Sequence, residues 1–290
     1  MTATTLKHNS NSVFSDWALS LRQTSPPLFW VGLAMLAMSM LTLALMVVDA
    51  RQFQGVSVWS KPWKFQVSTG SYLLTLALFM VWLPRSALQT RTASYVVWVA
   101  VASGIFEVAY VSMQGALGQG SHFNLSSRFH AWMYSLMGVG AVLLTSAALA
   151  LGVLIARTQD YKLAPALKLA IVLGLIATFL LGTGFGGYLS AQPSGHWVGG
   201  ALTDAGGLPV FNWSRNAGDL RVAHFFGIHA MHFIPAFGAL LTITGAEQLA
   251  ARRAVWVFAV LFAALCVWTF VQATRGQPFF ASLSYFQSIA

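Results

Sequence analysis

The sequence contains very few charged residues and a single cysteine. Asp, Glu, Lys and Arg make up 8% of its 290 residues, whereas 57% are hydrophobic. Soluble domains carry a charge on about a quarter of their residues. The lone Cys266 excludes disulfides within the chain and zinc sites built from several thiolates. A metal ion bound by this chain would therefore need His, carboxylate or Met ligands.

Acidic residues are the scarcer of the two charge types. Seven Asp and Glu stand against sixteen Lys and Arg, which gives a net charge of +9. The basic residues are scattered between apolar runs and form no basic face interleaved with exposed aromatics, as nucleic-acid binding would need. Membrane topology and anionic lipid explain them better, so we expect the lipid bilayer as a partner and no nucleic acid.

Long apolar runs take the place of the missing charges. Each is close to the ~20 residues that cross a hydrocarbon layer of about 30 Å. The predicted spans are 28–48, 66–83, 93–113, 131–155, 167–189, 222–245 and 254–273. We therefore predict an all-α fold, an integral membrane bundle of about seven transmembrane helices.

The remaining sequence is divided between two terminal segments. An N-terminal segment, 1–27, includes a short surface-lying helix within 13–21 and precedes the membrane domain at 28–273. A C-terminal tail follows at 274–290. No cleavable signal peptide is expected, because mostly polar residues precede a first span that is too long for a signal sequence.

The connections differ from one side of the membrane to the other. With seven spans, the N-terminus and the short basic connections near 84–92, 156–166 and 246–253 share one side. The positive-inside rule makes that side cytoplasmic and places the C-terminus outside. The outer connections are rich in Gly, Trp, His and Asn. The longest, 190–221, is expected to be either a lid over a membrane-facing cavity or an ordered cap over helix ends.

Six of the seven histidines fall on the outer side. They are His122, His130, His196, His224, His229 and His232. Those of the sixth span lie within an arc of roughly 140° and can face one interior. Polar residues at this depth usually point into the bundle and mark a site, although interhelical hydrogen bonding is the alternative. We predict His130, His229 and His232 as metal ligands, and His122 and His224 as cofactor-binding residues.

Glu107 and Tyr134 are the candidate catalytic residues. Glu107 is the acidic residue well inside a span, and a rise of 1.5 Å per residue puts it at the depth of His229. It is predicted to be a proton carrier or a metal ligand, and the alternative is a neutral acid hydrogen-bonded across helices. Tyr134 lies four residues after His130 and shares its face.

Basic residues occur at the same outer level. Arg128 precedes the fourth span, and Arg221 opens the sixth. Both are predicted to bind anionic groups such as haem propionates, a quinone head or an anionic substrate. Snorkelling to lipid phosphate is the alternative interpretation.

Two strings carry a resemblance to other proteins. Ser-His-Phe-Asn at 121–124 and Gly-Asp-Leu-Arg-Val-Ala-His-Phe-Phe-Gly-Ile-His-Ala at 218–230 resemble those of a group of uncharacterised bacterial multi-span membrane proteins. The resemblance implies the bacterial inner membrane and no particular activity. Span 254–273 contains neither the His-x-x-x-His pair of the zinc-dependent membrane hydrolases nor the Lys of a retinal protein. Membrane b-type cytochromes bind haem between histidines of two helices, as His130 and His229 could here.

These features predict a membrane-embedded redox protein. Its histidines would bind haem b or a non-haem metal (Fe, Cu or Zn) toward the periplasmic side of the inner membrane, with quinol or another lipid-soluble molecule as partner. Two alternatives stay open. One is a zinc-dependent intramembrane hydrolase of lipid-like substrates, with His229, His232 and a further His or Glu107 as ligands. The other is a proton-coupled transporter or sensor in which Glu107 and the histidines titrate.

Overall fold

A computed structural model describes residues 18–280 and is mostly helical in that part of the chain. Its helices are α1 (Pro26–Val48), α2 (Ser60–Met80), α3 (Arg85–Leu88), α4 (Arg91–Ala116), α5 (Arg128–Arg157), α6 (Pro165–Ser190), α7 (Arg221–Ile228), α8 (Ala230–Ile243) and α9 (Gln248–Thr274). A helical stretch at 18–24 precedes α1. Most of the surface helix expected at 13–21, and the tail beyond 280, lie outside the described residues.

Two short antiparallel strand pairs complete the fold in the connections between helices. Strand β1 (Gln52–Phe53) pairs with β2 (Val56–Ser57), and β3 (Trp197–Val198) pairs with β4 (Gly218–Asp219). The first pair joins α1 to α2. The second brings the two ends of the long connection before α7 together.

The described residues include five to six helices that are candidate membrane spans. Helices α1, α4, α5, α6 and α9 are each long and apolar enough to cross a bilayer, and α7 and α8 together form a sixth candidate that bends by 49°. Helix α2 occupies the position of the expected span 66–83 and is long enough, at 21 residues, but it is not apolar enough to be a candidate span. Its sequence includes Lys61, Lys64 and the buried Gln66 and Thr69. The number seven and the orientation therefore remain predictions.

At the bend between α7 and α8, a side chain of a neighbouring helix bonds to the backbone. Pro235, within α8, would favour a kink, because it cannot donate to the Met231 carbonyl. The break instead falls at His229, about one and a half turns earlier. There the Thr178 hydroxyl from α6 accepts a hydrogen bond from the Met231 amide at 2.9 Å and donates to the Ile228 carbonyl at 3.4 Å. The inserted hydroxyl satisfies backbone groups that the break exposes.

Helix α6 lies at the centre of one half of the bundle and packs against α5, α7, α8 and α9, while α2 packs mainly against α1 and α4. The α1–α2 crossing is close because Gly32 meets Gly70, and a Cβ on either would approach the other's carbonyl oxygen to about 3 Å. Side chains bridge α2 and α8: the Thr75 hydroxyl contacts the His232 ring. Polar groups of α2 and α8 therefore face each other inside the bundle.

The connection between α6 and α7 is an ordered cap, which we define as residues 191–220. Its Asp204 amide and Thr203 hydroxyl both donate to the Gln54 carbonyl of the β1–β2 turn. The Asn212 side chain donates to the Ser60 hydroxyl at the start of α2. These bonds attach the cap to the β1–β2 turn and to the start of α2. Of the two alternatives for this connection, they correspond to the ordered cap over helix ends.

Candidate functional site

His229 and His232 form a pair at the break between α7 and α8. Their Nδ1 atoms are 3.2 Å apart, and the His232 Nε2 atom is 3.1 Å from the Thr75 hydroxyl. That hydroxyl donates its own hydrogen to the Ser71 carbonyl at 2.8 Å, so it accepts a hydrogen bond from His232 Nε2. In a neutral ring the His232 Nδ1 then carries a lone pair directed at His229.

His224 lies on α7, and its ring has the opposite tautomer to that of His232. Its Nδ1 is 3.0 Å from the Gly182 carbonyl oxygen, which can only accept, so Nδ1 carries the hydrogen and Nε2 keeps its lone pair. The ring lies against Gly186, where a Cβ would stand 2.8 Å from the ring Cε1. A side chain at position 186 would collide with the imidazole ring, so glycine leaves room for it.

His122 and Tyr134 belong to a row of rings contributed by α2, by the connection before α5 and by α5 itself. The His122 ring is 5.7 Å from Phe65 and 5.9 Å from Tyr134, and Tyr134 is 5.2 Å from Phe123. Tyr134 donates to the Ser190 carbonyl at 3.0 Å. Burial, and then the positive charge of Lys61, lower the pKa of His122 well below its ordinary value. His122 is therefore neutral near pH 7.

Glu107 is buried, with 4% of its surface exposed. Among residues 18–280 its carboxyl has no hydrogen-bond partner, and the Oε1 atom is fully enclosed. It points toward α5 at Gly140, where a Cβ would stand 2.7 Å from Oε1. Lys61 lies within electrostatic range, yet the part of the chain that the structure describes contains no ion pair between them.

Arg221 organises the cap. It donates to both carboxylate oxygens of Asp204 at 3.0 and 2.8 Å, to both of Asp219 at 2.9 and 2.6 Å, and to the Asn212 carbonyl at 2.7 Å. We predicted that Arg221 binds an anionic ligand. The structure instead engages its guanidinium with side chains of the cap, because two carboxylates already flank it.

Asp204 also accepts a hydrogen bond from His196 at 3.2 Å. Burial alone would raise the pKa of Asp204, but the His196 hydrogen bond and the Arg221 charge outweigh it and lower that pKa to about 2. Burial lowers the pKa of His196 despite the neighbouring carboxylate. The contact is therefore a hydrogen bond from a neutral ring to an ionised carboxylate.

His130 and Arg128 lie apart from the other candidate residues. His130 is in the first turn of α5, where its Nδ1 is 2.8 Å from the hydroxyl of the N-cap residue Ser127. Arg128 is exposed. Within residues 18–280 neither side chain contacts His229 or His232. The structure thus does not assemble the expected pair of His130 with His229, because the His130 ring lies against Ser127 at the N-terminal end of α5.

Sequence reasoning overlooked the partner helix of the histidine pair. On α2, the residues Lys61, Lys64, Ser68, Ser71 and Thr75 recur at intervals of three and four and are all half-buried. This spacing places them on one helical face. A polar stripe within an apolar bundle was the available signal, and it leads from the cap to His232.

Among residues 18–280, no group of three or more His, Cys, Asp or Glu side chains is arranged to bind a metal ion. Comparisons with family models, with curated proteins and with solved structures found no match. The site geometry is therefore the basis for any functional proposal.

Proposed function

We propose that this chain is a membrane-embedded redox protein that binds a single iron or copper ion through His229 and His232. The observation that carries the proposal is the 3.2 Å separation of the two Nδ1 atoms. Two metal–nitrogen bonds of about 2.0–2.1 Å at a tetrahedral angle put the nitrogens about 3.3 Å apart. The pair is therefore spaced for one ion without a backbone movement.

The hydrogen bond at the far side of His232 supports this role. Ligating histidines usually donate their second ring N–H to an oxygen, which fixes the tautomer and the ring orientation. Thr75 provides that oxygen, and its own hydrogen is engaged by Ser71. Imidazole ligands suit iron, copper and zinc, and of these iron and copper carry out one-electron chemistry.

The same geometry argues for an ion over haem at this pair, because a flat macrocycle does not fit between ring nitrogens 3.2 Å apart. A haem would instead use His224, whose Nε2 lone pair is free while Nδ1 donates to a backbone carbonyl. A Soret band would identify that case. A colourless protein with one zinc would favour the intramembrane hydrolase.

We infer that α2 is the seventh span. Its outer end contacts the cap through Ser60, and at its inner end the Tyr161 hydroxyl donates to the Phe79 carbonyl. Tyr161 lies in the α5–α6 connection, on the side opposite the cap. Seven spans with that basic connection in the cytoplasm put the site toward the periplasmic face of a bacterial inner membrane. Labelling of single cysteines placed at Arg215 and Asp160 would test it; a result with Asp160 reactive from outside would contradict the orientation.

A second candidate, a proton-coupled transporter or sensor, is favoured by one observation. Glu107 is buried without a hydrogen-bond partner in the described residues, with Lys61 nearby. Such a group inside a membrane is typical of proton carriers. It predicts proton uptake by proteoliposomes that Glu107→Gln abolishes and that metal chelation leaves unchanged.

Metal content of detergent-purified protein tests the leading proposal. We expect about one iron or copper per chain in the wild type and its loss in His229→Ala and His232→Ala. His130→Ala is the matched control, because that histidine lies apart from the pair and should leave the metal content unchanged. A wild-type protein without metal, or equal metal in all variants, would contradict the proposal.

A further inference from the structure

Ser68 of α2 points into the bundle and keeps solvent-accessible surface there. Successive residues of a helix are rotated by about 100°, so the direction of Ser68 lies between those of Tyr72 and Thr75. The Tyr72 hydroxyl donates to the Leu144 carbonyl of α5 at 2.6 Å, and the Thr75 hydroxyl contacts His232 of α8. Ser68 therefore faces the interval between α5 and α8, and it is half-buried there.

The wall opposite this face of α2 continues from the cap to the histidine pair. The Lys64 ammonium donates to the Phe211 carbonyl of the cap at 3.1 Å, in an exposed contact. The Phe211 ring is 5.2 Å from that of Phe225 on α7, and the Phe225 ring is 4.3 Å from that of His229. The histidine pair then returns the contact to α2 at Thr75. These contacts surround a space that extends about 16 Å along α2, from position 64 to position 75.

Two serine hydroxyls within this circuit have no protein partner. Among residues 18–280 neither the Ser68 nor the Ser71 side chain forms a hydrogen bond, whereas Thr75 donates to the carbonyl four residues before it. The backbone of α2 packs against α1 and α4, so no helix lies directly on the face that carries these serines. A polar group inside a bundle needs a partner, and water in the space between the helices provides it.

The entrance to the space, beside the cap, is positively charged. Lys61 and Lys64 lie in the first turns of α2, near the positive end of its dipole, and the first turn contains no acidic residue. Both are within electrostatic range of Arg221, whose own charge is matched by Asp204 and Asp219. In the part of the chain that the structure describes, no carboxylate forms an ion pair with either lysine. Such an entrance attracts small anions and repels cations.

We propose that this space is a water-filled path by which a small anion reaches the histidine pair from the aqueous side of the cap. The inference rests on the proposed redox centre for its destination and names the class of solute that binds there. Lys61 and Lys64 select the charge of the solute at the entrance. The hydroxyl groups of Ser68 and Ser71 then replace part of its hydration on the way to the metal. A lipid-soluble partner would gain nothing from a polar wall of this kind.

Cysteine accessibility in lipid nanodiscs tests the path in the full-length protein. Ser68→Cys is made together with Cys266→Ala, and its thiol is treated with an anionic sulfonatoethyl or a cationic trimethylammonioethyl methanethiosulfonate. Each rate is divided by the rate of the same reagent with free mercaptoethanol. We expect the normalised rate of the anionic reagent to exceed that of the cationic one at least about tenfold. Adding Lys61→Gln and Lys64→Gln should abolish this preference.

Ser135→Cys is the matched control. Ser135 is exposed on the surface of α5, where a membrane helix contacts lipid, and it lies seven residues after the start of its helix at Arg128. Ser68 lies eight residues after the start of α2 at Ser60. The two thiols are therefore at similar positions along their helices. The control thiol should remain unmodified, because both reagents are ionic and stay in water.

A Ser68→Cys thiol as inert as the control overturns the inference, and so do equal normalised rates for the two reagents. Ser71→Cys is judged by the same criteria and keeps the test decisive if Ser68→Cys does not fold. Metal analysis of the same samples separates this inference from the proposed function. A metal-free protein with an anion-accessible thiol would overturn the redox centre and leave the path. A metal-containing protein with an inert thiol would overturn only the path.

Discussion

Replacing Arg221 by Gln should loosen the cap while leaving the membrane helices folded. The guanidinium is the shared partner of two carboxylates, Asp219 and Asp204, which are 1% and 8% exposed. Removing the cation leaves both carboxylates buried without their main compensating charge. Breaking a buried ion pair from one side typically costs about 3–5 kcal/mol.

The lower end of that range applies here. Asp219 keeps hydrogen bonds from the Ser214 and residue-221 backbone amides, and Asp204 keeps the one from His196. A loss of about 3 kcal/mol raises the fraction of open cap about a hundredfold, since about 1.4 kcal/mol corresponds to a factor of ten. The cap should open locally, because α6 and α7 pack independently of it.

Hydrogen exchange measured by mass spectrometry provides the readout. The Leu220 amide donates to the His196 carbonyl at 3.0 Å inside the cap, and its exchange should accelerate about a hundredfold in Arg221→Gln. Arg51→Gln is the matched control: Arg51 also pairs with an aspartate, but its side chain is 53% exposed, so little change is expected. Unchanged exchange at Leu220 would refute the role of Arg221, as would equal acceleration in the cap and in the long helices.

Three further predictions follow from individual contacts. The pKa of Asp204 is lowered from 3.8 to about 2 in the folded cap. The cap should therefore lose about 2 kcal/mol of stability as the pH falls from about 4 to 2, which faster proteolysis of the cap would reveal. A rate of proteolysis that does not change over this pH range would contradict the assignment. Gly140→Ala should displace the Glu107 carboxyl and lower the melting temperature, whereas Gly138→Ala should be neutral or stabilising by up to about 1 kcal/mol; equal melting of the two variants would contradict the steric argument. Thr75→Val should weaken metal binding about 10–100-fold by removing the oxygen that orients the paired histidines, and an unchanged metal Kd would remove the basis for that role.

The positions of the long helices could be read from the sequence because apolar runs of bilayer length have few other uses. Helix α2 is the instructive exception. It forms where an apolar run was expected, yet its first turns are too polar to qualify as a span by hydropathy. Its polar residues are explained by neighbours: Gln66 donates to Ser112 of α4, and Thr75 accepts from His232 of α8.

The site was only partly predictable for the same reason. The three-residue interval of His229 and His232 correctly indicated that the two side chains meet. The predicted association of His130 with His229 is not formed. The rotation of α5 about its axis depends on its N-cap and on packing against other helices, and neither can be read from the sequence. The bend at His229 likewise coincides with contacts to Thr178 of another helix, which local sequence does not reveal.

X-ray absorption at the metal edge of purified protein tests the central claim most directly. The account predicts an iron or copper spectrum with two imidazole nitrogens at about 2.0–2.1 Å and lighter ligands completing the shell, reduced to one imidazole in His232→Ala. A spectrum with the four equatorial nitrogens of a porphyrin, a zinc edge, or a metal without imidazole ligands would contradict the histidine-pair redox centre.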